Sequence, residues 1–188
     1  LESWVSDSVV NIVIGGLIII GGIGFPAVID IAHWLRNALS GRRSRLSLHT
    51  RLTLLTTAVL LVVGFAVFLI LEWDGAFAQF PTGTKLLAAG FASLTPRTAG
   101  FDTVPPANFS LASKWVTMAL MFIGASPGST GGGIKTVTAA VLLLVVIGMS
   151  RGRRRVSVLD RSVGEASRHR AFAVAALMAS AAFVVTFA

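Results

Sequence analysis

The sequence has no cysteine and few charged residues. Without cysteine, disulfide bonds, thiolate metal sites and thiol redox chemistry are excluded. Charged residues make up 13% of the 188 residues, whereas a soluble globular domain carries roughly 25%. Apolar residues make up 54%, more than a water-soluble fold of this size can hide. The composition therefore predicts a protein whose solvent is the lipid bilayer.

Acidic residues are scarce, since 8 Asp and Glu stand against 16 Lys and Arg, and the net charge is +8. Most of the arginines fall in two short polar stretches, 36–51 and 151–170. Both stretches flank apolar runs of membrane length, so the positive-inside rule explains them better than nucleic-acid binding does. We therefore expect loops 36–51 and 151–170 to be cytoplasmic, loops 72–80 and 102–110 to be external, and no nucleic acid to be bound.

Four apolar runs predict how the chain crosses the bilayer. They cover residues 9–35, 52–71, 111–149 and 171–188, and the last only begins a span. At 1.5 Å per residue the first three are long enough for a hydrocarbon core of about 30 Å. The chain starts without Met and stops inside an apolar run, so we expect it to be a fragment of a longer protein.

The segment between the second and third runs is too short to cross the bilayer. Residues 84–94 have a helical pattern but extend only about 16 Å. Because the flanking spans both end on the external side, residues 75–110 must enter and leave there. Irregular backbone at membrane depth is tolerated only beside protein or a water-filled cavity. The sequence thus predicts a re-entrant half-helix next to a pore or binding cavity.

The half-helix leads into residues 95–102, a segment suited to binding a cation. Backbone carbonyls replace the water around a dehydrated cation when several loops converge on one axis. Glycine permits the backbone angles that aim carbonyls inward, and the C-terminal end of a helix favours positive charge. One loop supplies a quarter of a four-fold ring. No arrangement of catalytic side chains stands out, so we predict no enzyme activity.

The third apolar run is interrupted near its middle by five glycines and a proline within ten residues, followed by a lysine. Such a break at membrane depth, accompanied by hydroxyl side chains and a positively charged lysine, indicates a water-lined pathway. Close helix packing is an alternative, whereas a phosphate-binding loop is disfavoured because its spacing fails. The residues are Gly124, Ala125, Ser126, Pro127, Gly128, Ser129, Thr130, Gly131, Gly132, Gly133 and Lys135.

Several of these strings resemble one family. The core 98–101 is similar to the Thr-Val-Gly-Tyr of potassium-channel filters, and 93–101 resembles the third pore loop of the Trk/Ktr/HKT potassium transporter superfamily. Residues 121–136 are similar to the broken third-repeat helix of that family, closest to its KtrB-type (TrkH-like) membrane subunits. Residues 21–26 and 47–51 resemble the inner helix and following loop of the preceding repeat.

The resemblance implies an all-α membrane protein of four helix–pore-loop–helix repeats around one pore. On that template residues 1–51 end repeat two, residues 52–150 form repeat three, and residues 151–188 begin repeat four. It implies potassium uptake across the plasma membrane by a pore-forming subunit with a filter loop at 95–101 and a gating loop at 124–133.

The same resemblance implies that the backbone carbonyls of Thr98, Ala99 and Gly100 hold K⁺, without a covalent cofactor. It also implies a homodimer that binds a cytosolic nucleotide-binding ring of the RCK type. Na⁺ as a coupling or regulatory ion, and channel-like or coupled transport, are left open. A non-conducting membrane scaffold and a sodium-permeable relative are the rival functions.

Charged residues near these loops allow two interpretations each. Arg97 either supports the filter loop, with Asp102 as one partner, or is solvated outside. Glu72 and Asp74 either form a solvated turn, which we favour, or concentrate cations at the outer mouth. Lys135 either extends toward the membrane interface or places a positive charge beneath the filter.

Overall fold

A computed structural model describes residues 1–150, 157–158, 161–162, 173–174, 176–177 and 180. The predictions for loop 151–170 and segment 171–188 lie almost entirely outside these residues. The helices are α1 (Ser8–Ile23), α2 (Phe25–Leu39), α3 (Leu48–Glu72), α4 (Thr82–Leu94), α5 (Leu111–Phe122) and α6 (Thr136–Ser150), with single 3-10 turns at Glu2–Trp4 and Pro106–Asn108. Two short strands, β1 (Ser157–Val158) and β2 (Arg161–Ser162), pair antiparallel.

The first apolar run, residues 9–35, does not form one straight helix, because α1 and α2 meet at an angle of 102°. Gly24 forms the corner with a φ of 88°, a conformation that favours glycine. Pro26, near the start of α2, has no N–H to offer the Gly22 carbonyl four residues earlier. That carbonyl instead accepts a hydrogen bond from Ser126 N at 3.0 Å. The corner is therefore fixed by a residue far along the chain.

Helix α3 starts four residues before the predicted second span because Ser47 caps it. The Ser47 hydroxyl accepts a hydrogen bond from Thr50 N at 3.2 Å, and Ser47 N donates to the Asp30 carboxylate at 2.9 Å. With 25 residues the helix is about 37 Å long. Among the described residues, α3 is the one helix able to cross a bilayer by itself; α1 and α2 meet the criterion only as a bent pair.

Helix α4 packs along α3, and a cluster of phenylalanines closes the two helices at one end. A Cβ atom on Gly64 of α3 would lie 3.1 Å from Ser93 Cβ, so the helices approach closely there. The Phe109 ring lies 5.6 Å from the Phe68 ring and 6.1 Å from the Phe77 ring, the latter edge-on. This cluster holds the loops before and after α4 against α3.

Glu72 joins both ends of the segment that contains α4. Its carboxylate is fully buried and accepts hydrogen bonds from Ala76 N at 3.0 Å, Ser110 N at 2.9 Å and the Ser110 hydroxyl at 2.6 Å. The preferred interpretation of Glu72 as part of a solvated turn is therefore wrong, although Asp74 is exposed. Because Ser110 directly precedes α5, the chain returns to the end of α3 that it left. This course is the one that a re-entrant segment requires, and its place in the bilayer stays a prediction.

Replacing Glu72 with alanine should destabilise the folded protein. The change removes the buried acceptor of three hydrogen bonds from Ala76 and Ser110, donors at a part-buried site, at roughly 0.5–1.5 kcal/mol for each bond lost. Thermal unfolding of the purified full-length protein in detergent should show a Tm several degrees lower for Glu72→Ala. The exposed neighbour supplies the control, since Asp74→Ala should leave Tm unchanged. Equal Tm values for the two variants would contradict the role given to Glu72.

Candidate functional site

The loop after α4 lies deep in the structure, beside the middle of α3. Arg97 donates a hydrogen bond from Nη2 to the Thr57 carbonyl at 3.2 Å. Thr57 precedes Glu72 by fifteen residues, roughly 22 Å along the helix. Helix α4, with 13 residues, extends about 20 Å in the return direction. The position of Thr57 on α3 and the length of α4 therefore agree in placing residues 95–101 roughly 20 Å from the Glu72 end of α3.

The backbone of this loop alternates in handedness at the predicted filter residues. Thr98 has a φ of 59° and Gly100 has a φ of 72°, whereas the φ of Ala99 between them is not positive. Thr98 is the one residue other than glycine with positive φ in the described part of the chain. For a β-branched residue this conformation is strained, by on the order of 1–3 kcal/mol. Alternating handedness is the backbone pattern that lets successive carbonyls face one side.

Thr95 ties the exit of the loop to the end of α4. Its hydroxyl contacts the Phe91 carbonyl at 3.1 Å and the Phe101 carbonyl at 2.8 Å. The Phe101 carbonyl therefore already accepts a hydrogen bond, and Phe101 is 52% exposed. Thr98, Ala99 and Gly100 supply the carbonyls that these contacts leave unused.

The predicted gating loop is a narrow hairpin between α5 and α6. Ile123 and Ile134 form a parallel bridge at its base, and Ala125 N donates to the Gly132 carbonyl at 3.3 Å. A Cβ atom at Gly124 would lie only 1.6 Å from the Gly132 carbonyl oxygen. The two arms therefore cross where a side chain has no room. The segment is not helical, which disfavours helix packing as the reason for its glycines.

The hairpin is bonded to the corner between α1 and α2. The buried Ser126 hydroxyl lies 3.0 Å from the Thr136 hydroxyl, and Ser126 N donates to the Gly22 carbonyl. Phe25 N donates to the Gly128 carbonyl at 3.1 Å. Sequence reasoning missed this contact between two motifs. Its signal was the glycine-rich string at 21–26, which was interpreted through its resemblance to the inner helix of the preceding repeat.

The tip of the hairpin touches the filter loop. A Cβ atom at Gly131 would lie 2.7 Å from the Thr98 hydroxyl and 2.5 Å from Ala125 Cβ. Lys135 is half-buried and donates from Nζ to the Gly131 carbonyl at 2.7 Å. The lysine is thus directed back at the hairpin, and neither interpretation of it describes this contact.

A cavity of about 370 Å³ lies between α1, the filter loop and the tip of the hairpin. The structure thus brings the candidate residues Thr98, Ala99 and Phe101 together with Thr130 and Gly131. Ser126 and Gly124 are buried behind this surface. The arrangement can hold a cation at backbone oxygens and place a second loop in its path.

Comparison with known proteins identifies the family. The sequence matches the TrkH family of cation transport proteins over residues 1–187. The chain belongs to this family. The predicted resemblance, including its KtrB-type affinity, is confirmed, and the helices described above are those of an all-α membrane protein of the TrkH family.

Relatives with known names are similar over most of this TrkH-family chain. The potassium/sodium uptake protein NtpJ of Enterococcus hirae is 39% identical over 160 residues, 85% of this chain and 34% of NtpJ. The Ktr system potassium uptake protein B is 37% identical in Bacillus subtilis and 36% in Vibrio alginolyticus, over 87% of this chain in each comparison. The chain spans 36% and 35% of those two proteins, about a third of their length.

Proposed function

We propose that this chain is part of the pore-forming subunit of a potassium uptake protein. The observation that carries the proposal is the strained loop at 98–100, which lies beside the middle of α3 and next to a cavity that a second loop enters. The names of its relatives support potassium as the ion. Transport of this kind moves an ion without covalent chemistry, so the protein is not an enzyme and needs no covalent cofactor.

The filter loop at 95–101 contributes one quarter of a ring of carbonyl oxygens. Thr98, Ala99 and Gly100 supply carbonyls to K⁺, and Phe101 closes the segment. Residues 1–51, 52–150 and 151–188 belong to repeats two, three and four of a four-repeat pore. The remaining filter loops come from the rest of the protein, since one loop cannot surround an ion.

The hairpin at 124–133 is the gate. Its tip lies against Thr98 and accepts a hydrogen bond from Lys135, and the glycine crossing closes its base. Its bonds to the α1–α2 corner give it an attachment outside its own repeat. A movement of that corner would carry the hairpin with it, which would open or close the path beside the filter.

A second candidate function is potassium uptake with sodium as a coupling, regulatory or transported ion. The relative from Enterococcus hirae is named for both ions. In either case the full protein is a multi-pass protein of the plasma membrane. The arginine-rich loops 36–51 and 151–170 face the cytoplasm, and loops 72–80 and 102–110 face outward.

The partners of the full protein are a second copy and a cytosolic regulatory ring of the RCK type. Two relatives are named as components of a Ktr system, which supports a membrane subunit that works with other components. The exposed arginines of loop 36–51 offer such a ring a charged docking surface. No nucleic acid is among the partners.

Uptake by cells that lack their own potassium-uptake systems tests this proposal. The full-length protein, expressed with its cytosolic partner, should restore growth on low potassium and produce saturable uptake of K⁺ or Rb⁺. Na⁺ uptake measured in parallel separates the two candidate functions. An absence of flux from well-expressed, correctly inserted protein would favour the scaffold function instead.

A further inference from the structure

Arg97 is a buried cation directly beside the filter residues. It is only 6% exposed, so the interpretation of a solvated arginine is wrong. Nη2 donates to the Thr57 carbonyl of α3, and Asp102 is not a partner in the described part of the chain. Burying a charged side chain costs free energy unless the charge is paired or hydrogen-bonded, so a buried arginine next to a proposed cation site requires a reason.

The Arg97 bond differs from every other hydrogen bond of the filter loop. Thr95 and Arg97 bond through their N–H groups to carbonyls of α4, Ala99 N bonds to Thr95, and Thr98 bonds to Arg97. These contacts connect the loop only to α4 and to itself. Within the described residues, the bond from Arg97 to Thr57 is the one hydrogen bond that joins 95–101 to another helix.

The second guanidinium nitrogen of Arg97, Nη1, is also buried. It has no hydrogen-bond partner among the described residues, and the same holds for the buried hydroxyls of Thr53 and Thr57 on α3. Thr53 and Thr57 lie one turn apart on the helix that receives the arginine. Buried polar atoms of this kind are normally satisfied by ordered water or by another segment. Nη1 is therefore a second buried donor that ordered water or another segment of the full-length protein would satisfy.

We infer that Arg97 is a positioning residue that fixes the filter loop sideways against α3, so that the carbonyls at 98–100 keep the spacing a potassium ion requires. The inference rests on the proposed function of these residues as a filter. A guanidinium suits this role because its rigid, branched donors hold a direction as well as a distance. Its charge is directed at the α3 carbonyl, which stabilises it there.

Two variants of the full-length protein separate positioning from charge. Arg97→Met removes the donors and keeps the length of the side chain, and Arg97→Lys keeps the charge with a single donor group. If Arg97 positions the loop, Arg97→Met should raise the K⁺ concentration for half-maximal uptake and lower the preference for K⁺ over Na⁺, each by about tenfold, and Arg97→Lys should be intermediate. If Arg97 acts only by repelling cations, Arg97→Met should lower the half-maximal K⁺ concentration instead, which would overturn the inference.

Lys114 provides a matched control outside the filter. Its Nζ also donates to a backbone carbonyl, that of Ala107 at 3.0 Å, on the loop before α5. Lys114→Met loses the same charge and the same kind of bond, and it should keep the selectivity of the unmodified protein. A loss of selectivity in Lys114→Met equal to that in Arg97→Met would overturn the inference, because the effect would then not depend on the filter loop.

Gly100→Ser in the same assay distinguishes the inference from the proposed function. A selectivity change in Gly100→Ser with none in Arg97→Met would overturn the positioning role and leave the filter in place. No change in either variant would overturn the filter itself, and the inference with it. If Arg97→Met does not accumulate in the membrane, K⁺-dependent thermal stabilisation of purified Arg97→Lys decides. The midpoint should move to higher K⁺ concentration, and an unchanged midpoint would overturn the inference.

Discussion

Replacing Gly100 by serine should lower the preference of the full-length protein for K⁺ over Na⁺ by about tenfold. Gly100 has a φ of 72°, and a side chain with a Cβ atom pays about 1–2 kcal/mol to adopt it. In the part of the chain that the structure describes, no atom outside the neighbouring residues lies within 4 Å of the position that this Cβ would occupy. The serine therefore fits sterically, and its effect arises from a change in the backbone that turns the filter carbonyls.

Competition of Na⁺ with Rb⁺ uptake measures this effect. Gly83→Ser is the matched control, because Gly83 is exposed near the start of α4 and is equally free of contacts within 4 Å. We expect unmodified selectivity from Gly83→Ser. Equal permeability ratios in Gly100→Ser and in the unmodified protein would refute the assignment of residues 98–100 as a filter.

Deleting residues 129–131 from the gating hairpin should raise K⁺ flux by about tenfold, the change produced by removing about 1.4 kcal/mol from a barrier. These residues form the part of the hairpin that reaches the cavity and the Thr98 hydroxyl. The deletion keeps Ser126, with its bonds to Thr136 and Gly22, and Gly128, which accepts from Phe25. The hairpin therefore stays attached to the α1–α2 corner while its tip is withdrawn.

Initial rates of Rb⁺ uptake, normalised to the amount of protein in the membrane, report the change in flux. The preference for K⁺ over Na⁺ serves as an internal control and should stay constant, since the filter residues are intact. A loss of flux in folded, inserted protein would contradict the gating role. A gain in flux accompanied by a loss of selectivity would indicate that the hairpin supports the filter.

The sequence predicted the features that depend on the nearest neighbours along the chain. The second apolar run predicted α3 to within a few residues, and the short helical pattern at 84–94 predicted α4, which begins at Thr82. The glycines of 124–133 predicted the break between α5 and α6. Helix length, hydropathy and glycine content act locally, so these elements could be predicted without knowing what packs against them.

Two features that the sequence did not predict, the corner at Gly24 and the burial of Glu72, involve groups whose partners lie far away in the sequence. The corner at Gly24 depends on Ser126 and Gly128, and the burial of Glu72 depends on Ser110. From the sequence alone, Gly24 belongs to an apolar run and Glu72 to a polar turn. The corner was not predicted and the solvated turn was wrong, because hydrogen bonds to distant residues outweigh the local pattern in both places.

By itself, the sequence determined the family, the helical segments and the two glycine-rich loops. Only the tertiary structure decided that the tip of one loop rests on Thr98 of the other, that Arg97 crosses to Thr57, and that Lys135 faces the hairpin. The physical reason is that composition and periodicity specify which backbone can be helical in lipid. The partner of each polar group is specified only when the helices have packed.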